Sequence, residues 1–234
     1  AELSKEQEAQ FSDMIRQRAA GQPVAYLTGQ REFWSLNFAV TPDSLIPRPE
    51  TELLVEQTLA LLTENKNLRV ADLGTGSGAV AIALAHERRH WRLVAIDQSL
   101  ECVKLAQGNA RRLNVDNLCV INADWSTALA DRSFDAIVSN PPYVADQDPH
   151  LQQGDVCFEP ASALTAGPQG LDELRCLIKD APRVLVPGGW IVLEHGMDQA
   201  TSIRKLLNDM AFTNIATTRD LAGLERVSCA QKPA

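Results

Sequence analysis

Between Arg69 and Asp209, short apolar runs alternate with stretches of helical spacing, and this alternation constrains the fold more than any other feature of the chain. Arg69–Leu73 reads as a strand, Gly78–His86 as an alanine-rich helix, Arg92–Asp97 as a strand, Leu100–Leu113 as a helix and Leu118–Asn122 as a strand. Phe134–Ser139 and Trp190–Glu194 read as further strands, Leu171–Val184 and Gln199–Met210 as helices, and Thr213–Ala230 as two final strands around a Gly223 turn. Parallel strands need long crossovers, and helices are what usually make them and cover the sheet. The expected class is therefore α/β, a mostly parallel sheet with helices on both faces. Ligands of such sheets bind beyond the carboxyl ends of the strands, which directs attention to Leu73, Asp97, Asp124, Ser139 and the loops after them.

The N-terminal part reads differently. Residues 4–20 form a helix in which Ser4 and Gln7 make a capping box and Phe11, Met14 and Ile15 begin an apolar stripe; Gly21 and Pro23 stop it. From Tyr26 to Pro49, aromatic and β-prone residues flanked by glycine and prolines predict a hairpin, and Glu50–Asn65 a helix. The expected organisation is 1–22 as a remnant of a helical domain, 23–49 as a β-hairpin linker and 50–234 as the main domain. The 234 residues suffice for a real core without a disulfide or metal staple.

Charge and cysteine usage exclude several classes. The net charge of −8 argues against a partner held mainly through a phosphate backbone, so direct binding of nucleic acid is not expected. Five cysteines, an odd number with no CxxC, fit reduced thiols and a cytoplasmic location rather than a disulfide framework. No apolar run reaches the roughly 18–20 residues of a membrane helix. The first residues are polar and show no signal peptide, and the chain starts at Ala1 rather than Met, leaving room for a missing N-terminal region.

The first strand of the alternation runs into ADLGTGSGA, Ala71–Ala79. Gly74, Gly76 and Gly78 allow a tight turn and close approach of a ligand, and the next helix points its N-terminus at that ligand. Asp97 ends the following strand, at the distance expected of a carboxylate that takes ribose hydroxyls. Two ligands compete for such a loop, a dinucleotide with its pyrophosphate and S-adenosylmethionine with its cationic sulfonium. Asp72 sits two residues before Gly74, and no Lys or Arg lies in the loop, so a cation is favoured. Trp125, straight after the third strand, either faces an adenine base or is a core aromatic; the residues alone leave both open.

Ser139 ends the fourth strand and is followed by Asn140-Pro141-Pro142-Tyr143. The Asn140 side-chain oxygen and the stiffly held Pro141 carbonyl are two acceptors able to grip both hydrogens of a planar NH₂ group. Tyr143 supplies a flat face to stack on it. Such a nitrogen is a poor nucleophile because its lone pair is delocalised. Accepted hydrogen bonds draw density onto it and orient it. No strong base is required, and no Cys or Ser paired with a His suggests covalent catalysis.

DLGTGSG, then Asp97, then NPPY, is the order found in class I S-adenosylmethionine-dependent methyltransferases that act on amino nitrogens. REFWSL (Arg31–Leu36), IPRPETE (Ile46–Glu52), DPHLQQGDVCFEP (Asp148–Pro160) and LEHG (Leu193–Gly196) narrow the resemblance to the peptide-chain release factor glutamine methyltransferases, the HemK/PrmC family. These segments span nearly the whole chain. The resemblance implies a Rossmann-like class I methyltransferase sheet preceded by the hairpin linker. It implies methyl transfer from S-adenosylmethionine, leaving S-adenosylhomocysteine and using no metal, to the side-chain amide of the Gly-Gly-Gln glutamine of class I release factors. It also implies that Gly74, Thr75, Gly76, Ser77 and Gly78 hold the methionine part of the cofactor, Asp97 the ribose and Trp125 the adenine. Asn140, Pro141, Pro142 and Tyr143 would clamp the glutamine, with Asn140 also near the cofactor. The family's N-terminal helical domain touches the release factor; only the Ala1–Gly21 helix corresponds to it here.

Other signals carry less. His86-Glu87-Arg88-Arg89-His90 spells a zinc-protease signature, but at a solvated helix end. Arg48 and Glu50 are read as shaping the cofactor pocket, Glu159 and Pro160 as ordering the loop after NPPY, Arg111 and Arg112 as a solvated face, and His195 as a hydrogen-bonded structural histidine. Two rival readings are a nucleobase amino-methyltransferase, disfavoured by the acidic balance, and a non-catalytic release-factor-binding module, disfavoured by the intact NPPY.

Overall fold

The computed structural model describes residues 4–62 and 66–234. Helices are α1 (Lys5–Ala19), α2 (Val24–Thr28), α3 (Glu52–Leu61), α4 (Ala79–Glu87), α5 (Leu100–Arg112), α6 (Asp172–Val184) and α7 (Ala200–Asp209). Strands are β1 (Gln30–Phe33), β2 (Leu36–Ala39), β3 (Arg69–Leu73), β4 (Arg92–Asp97), β5 (Leu118–Asn122), β6 (Phe134–Ser139), β7 (Leu185–Glu194), β8 (Thr213–Arg219) and β9 (Glu225–Gln231). The helix expected over 50–65 ends at Leu61, with Leu62 extended; 63–65 lie outside the described residues.

The β3–β9 strands form one seven-stranded sheet in the order β5-β4-β3-β6-β7-β9-β8. β3 pairs in parallel with both β4 and β6, and β6 with β7, whereas β9 runs antiparallel to β7 and β8. The order reverses at β3: β4 and β5 build outward on one side, and the chain then returns to place β6 on the other. A crevice opens above the carboxyl ends at such a switch point.

The period-2 alternation of the strands separates two cores. Val70, Ala136, Val138 and Val192 face one side, where they pack with Leu54 and Val55 of α3, the buried alanine-rich face of α4 and Ala110 of α5. Ala71, Leu73, Ile137, Ile191 and Leu193 face the other, against Leu174, Leu177 and Ile178 of α6 and Ile203 and Leu207 of α7.

The β1–β2 hairpin is more than a connection. Phe33 and Phe38 meet edge to face at 6.1 Å and are buried in the first core. Its turn residues Trp34 and Ser35 both have positive φ, where Asn-Gly is usual. The Glu52 carboxylate accepts from the Trp34 backbone N–H (2.8 Å), and Glu32 from that of Ser35 (2.6 Å), which holds the turn. Asn109 of α5, 1% exposed, ties the hairpin to the sheet. It accepts from Ala39 N–H (2.8 Å) and donates to the carbonyls of Ala39 (3.0 Å) and Ser77 (2.8 Å).

Two elements depart from the sequence reading. The 23–49 segment holds a short helix, α2, as well as the hairpin; it closes on Gly29 in the left-handed region, which suits glycine. β7 begins at Leu185 rather than Trp190: Leu185 pairs with Phe134, the ladder is interrupted over Val186–Gly189, and pairing resumes at Trp190. Val-Pro-Gly-Gly looks like a turn in sequence and is an irregularity within a strand here.

α1 carries the expected capping box, with Ser4 Oγ accepting from Gln7 N–H and Gln7 Oε1 from Ser4 N–H. It buries no residue, and Phe11 and Ile15 are exposed. Its attachment runs through Arg18, paired with Asp155 at 3.1 Å, and through Gly21, which lies against Phe158.

Candidate active site

β3 delivers the glycine loop to the switch point. Gly74 and Thr75 N–H both donate to the Ile96 carbonyl at 2.9 Å, so the loop bends over the end of β4. All three loop glycines have positive φ, 75° at Gly74, 56° at Gly76 and 85° at Gly78. A Cβ at Gly74 would touch the Trp125 ring at 3.1 Å, and one at Gly78 would meet Ile82 and Ala106 at 3.0 and 3.1 Å. At Gly76 it would meet nothing within 4 Å, because that position faces open space.

Two carboxylates frame the loop. Asp72, 2% exposed, accepts from Thr75 Oγ1 (2.6 Å) and Ala81 N–H (3.1 Å). Burial pushes its pKa up to about 6 against the pull of those donors. Asp97 accepts from Gly76 N–H through Oδ2 and from Ser99 N–H through Oδ1, each at 2.9 Å, and burial raises it too. Each Asp97 oxygen keeps a lone pair for a further donor.

These groups wall a cavity of about 400 Å³, within the usual range for small-ligand sites. Gly74, Thr75, Gly76, Ser77, Asp97, Trp125, Asn140 and Pro142 all line it. Gly78, Pro141 and Tyr143 do not. Gly78 packs α4 against α5, and Pro141 is buried. The Trp125 indole N–H donates to Glu173 at 2.8 Å, so the ring offers the cavity only its carbon face and edge. Five carboxylates line the wall, Asp43, Asp72, Asp97, Asp124 and Glu173, against one guanidinium, Arg48.

β6 brings in the NPPY tetrad. The Ser139 hydroxyl donates to the Leu73 carbonyl at 2.5 Å, locking the strand end to β3. Asn140 Nδ2 donates to Thr51 Oγ1 at 3.1 Å, which commits the amide's donor end and turns its oxygen away from Thr51. The Tyr143 hydroxyl donates to Glu194 Oε1 at 3.1 Å, and its ring packs against the second core. Glu194 is 1% exposed, and burial pushes it up to about 7, opposed mainly by the Thr51 and Tyr143 hydroxyls. His195 beside it is buried, bonded to the Gly196 carbonyl and to Ser228 Oγ at 2.8 Å each; the carbonyl contact requires Nδ1 to carry the proton, so Ser228 donates to Nε2.

A strap borders the cavity. Glu159, after the NPPY loop, accepts from Ile46 N–H at 3.0 Å and pairs with Arg48. Burial raises its pKa while Arg48 and the Ile46 N–H lower it. Ser162 and Ala163 beyond it line the cavity, as do Asp43, Ser44 and Arg48. Sequence reasoning passed over Thr51, Asp43 and Glu173. IPRPETE was the available signal for the first, while the other two stand in unremarkable contexts. The zinc-like HExxH does not share one helix face, because α4 ends at Glu87 and His90 lies beyond it.

Comparison with known proteins places this geometry. Residues 49–169 match the methyltransferase small domain, and residues 1–29 the PrmC N-terminal domain. The chain is 48% identical over 231 residues to the release factor glutamine methyltransferase of Coxiella burnetii, covering 99% of this chain and 83% of that protein. It is 46% identical over 227 residues to the one of Escherichia coli K12, covering 97% and 82%. Among solved structures, a methyltransferase from Pyrococcus furiosus superposes with a TM-score of 0.65 at 18% identity, covering 95% of this chain and all of that one. The hMettl16 catalytic domain in complex with an RNA hairpin gives 0.69 at 19%, covering 89% and 79%. These two likenesses bear on the fold alone, which is that of class I methyltransferases. With close relatives matched over nearly the whole chain and the glycine loop, Asp97 and Asn140 on one cavity wall, the chain belongs to the release factor glutamine methyltransferase family.

Proposed function

We propose that this chain methylates the side-chain amide nitrogen of the Gly-Gly-Gln glutamine in class I peptide-chain release factors, with S-adenosylmethionine as donor. The observation that carries the reading is the fixed Asn140 amide. Its nitrogen is taken by Thr51, and its residue stands on the same wall as the glycine loop.

The donor set fits this cofactor. Open space at Gly76 admits a ligand close to the backbone. Asp97 has lone pairs for ribose hydroxyls, and the excess of carboxylates suits a sulfonium and an ammonium better than a pyrophosphate. When bound, S-adenosylmethionine supplies an electrophilic methyl group on a cationic sulfur. The protein's own part is binding and orientation. Gly74–Ser77 and Asp97 would hold the donor, and the Trp125 ring would cover its base. Asn140 Oδ1, on the cavity wall, and the Pro141 carbonyl, next to that wall, would accept the two amide hydrogens of the glutamine and so align its nitrogen. Pro142 would flank the group on the wall, and Tyr143 would stiffen the tetrad from below through Glu194. The displaced amide proton becomes acidic once the methyl has arrived, so no buried base is required.

Relatives named for release factor glutamine methylation support the protein substrate over a nucleobase or a purely binding role. Among the described residues no helix is long and apolar enough to cross a membrane. The test is a competition: radiolabelled S-adenosylmethionine, an unmethylated release factor and tRNA or DNA in one reaction. Label is expected in the protein fraction alone; label in the nucleic acid overturns the reading.

A further inference from the structure

Glu194 touches no reacting group in the chemistry just described, yet it is almost fully buried and bonded to the tetrad. Its Oε1 accepts from the Tyr143 hydroxyl. Its Oε2 meets no partner in hydrogen-bonding geometry, although the Thr51 hydroxyl lies close enough to pull its pKa down. That same Thr51 oxygen accepts from Asn140 Nδ2. One carboxylate thus stands behind both ends of the clamp. A buried carboxylate oxygen left without a donor is uncommon and calls for an explanation.

We propose that Glu194 is a positioning residue for the methyl-transfer clamp, holding Tyr143 directly and Asn140 through Thr51. When ionised, Glu194 draws the Thr51 hydrogen toward itself, and the Thr51 lone pairs stay available to the Asn140 N–H. When protonated, Glu194 loses the charge that attracts the Thr51 hydroxyl hydrogen, its hold on Thr51 weakens, and the anchoring of the Asn140 N–H weakens with it. The charged and titratable groups that bear on it are Tyr143, Arg226 of β9, which favours the ionised form, and Glu50 of the turn before α3, which opposes it. With burial included, the balance falls near neutrality.

The activity arm of the test rests on the proposed function; the spectroscopic arm does not. In ¹⁵N-labelled protein, the Asn140 side-chain NH₂ resonances are expected to shift with pH around a midpoint near 7, and to stay flat in Glu194→Gln. In methyl transfer to a release factor, Glu194→Gln is expected to lower kcat about tenfold or more, with KM and cofactor affinity held within about threefold. It should also lose the acid limb of the wild-type kcat profile. Thr51→Val keeps the shape without the hydroxyl; it should show the same kcat loss, and the double variant should be no worse than either single one. Thr51→Val carries the test if Glu194→Gln fails to fold. Asn140 resonances indifferent to pH in the wild type, or wild-type kcat and pH profile in Glu194→Gln, would overturn the inference. A wild type that shows the NMR titration but modifies no release factor would instead overturn the proposed function.

Discussion

At Asn140 a single hydrogen bond fixes what the side chain can do. Thr51 takes an N–H of the amide and so sets its orientation; in the proposed function the oxygen would face the substrate as an acceptor. Asn140→Ala removes that acceptor from the wall. Its kcat is expected to fall about 100-fold or more, with cofactor affinity changed by less than about fivefold in a titration. A similar kcat for the variant and wild type would remove the clamp from the account. The glycines divide by what surrounds them. Gly78→Ala adds a Cβ against Ile82 and Ala106 to the strain of a left-handed backbone; a loss of about 2 kcal/mol or more is expected in denaturant unfolding. Gly76→Ala meets open space, so it should cost only the backbone strain, about 1–2 kcal/mol, while weakening the cofactor. Equal stability losses with unchanged cofactor binding would contradict this division. The glycine spacing, Asp97 and NPPY were legible in the sequence because their roles depend on local backbone geometry. Thr51 and Glu194 were not legible as parts of the clamp, since their contacts join residues distant in the chain: Asn140 to Thr51 spans 89 positions.

Among the elements, the hairpin shows how a segment that reads as a linker becomes part of a core. Its alternating aromatics predicted strands, but only the fold shows Phe33 and Phe38 packing with α3 and α4. The burial of Asn109 likewise has no sequence signal: in LAQGNARRL it reads as one more polar position of an amphipathic helix. In the structure it holds β2, the glycine loop and α5 together through three backbone groups. Asn109→Ala leaves those groups without their partner and is expected to cost about 3 kcal/mol or more, read as a lower Tm. A Tm within about 1 °C of wild type would mean that the hairpin does not depend on it. Helix and strand positions elsewhere were readable within a residue or two, because buried parallel strands and amphipathic helices leave strong periodic patterns. β7 was shortened in the reading because a Pro-Gly-Gly irregularity inside a strand imitates a turn.

Over the whole molecule, the reversal of strand order at β3 collects the glycine loop, the β4 carboxylate and the tetrad above one sheet edge. The burial of a carboxylate beside that cavity has a thermodynamic signature. Asp72 is pushed up to about 6 from an ordinary value of 3.8, so the folded state holds its proton more tightly than the unfolded chain does. The stability this brings is full below pH 3.8 and is lost as pH rises through about 6. Asp72→Asn removes this dependence. Relative to wild type, its stability is expected to be higher at pH 8 than at pH 4, by about 2–3 kcal/mol. A difference that stays constant with pH would show that Asp72 is already ionised throughout. Cofactor binding should run the other way, weakening in the wild type below about pH 6 as the carboxylate facing a cationic ligand is neutralised.

Mass spectrometry reads the identity of the methylated atom. An unmethylated class I release factor is incubated with this protein and S-adenosylmethionine, digested and mapped by peptide fragmentation. One added methyl group is expected on the glutamine of Gly-Gly-Gln, and none when Asn140→Ala replaces the wild type. A methyl group on any other residue, or none on a release factor that an established family member methylates in parallel, would contradict it.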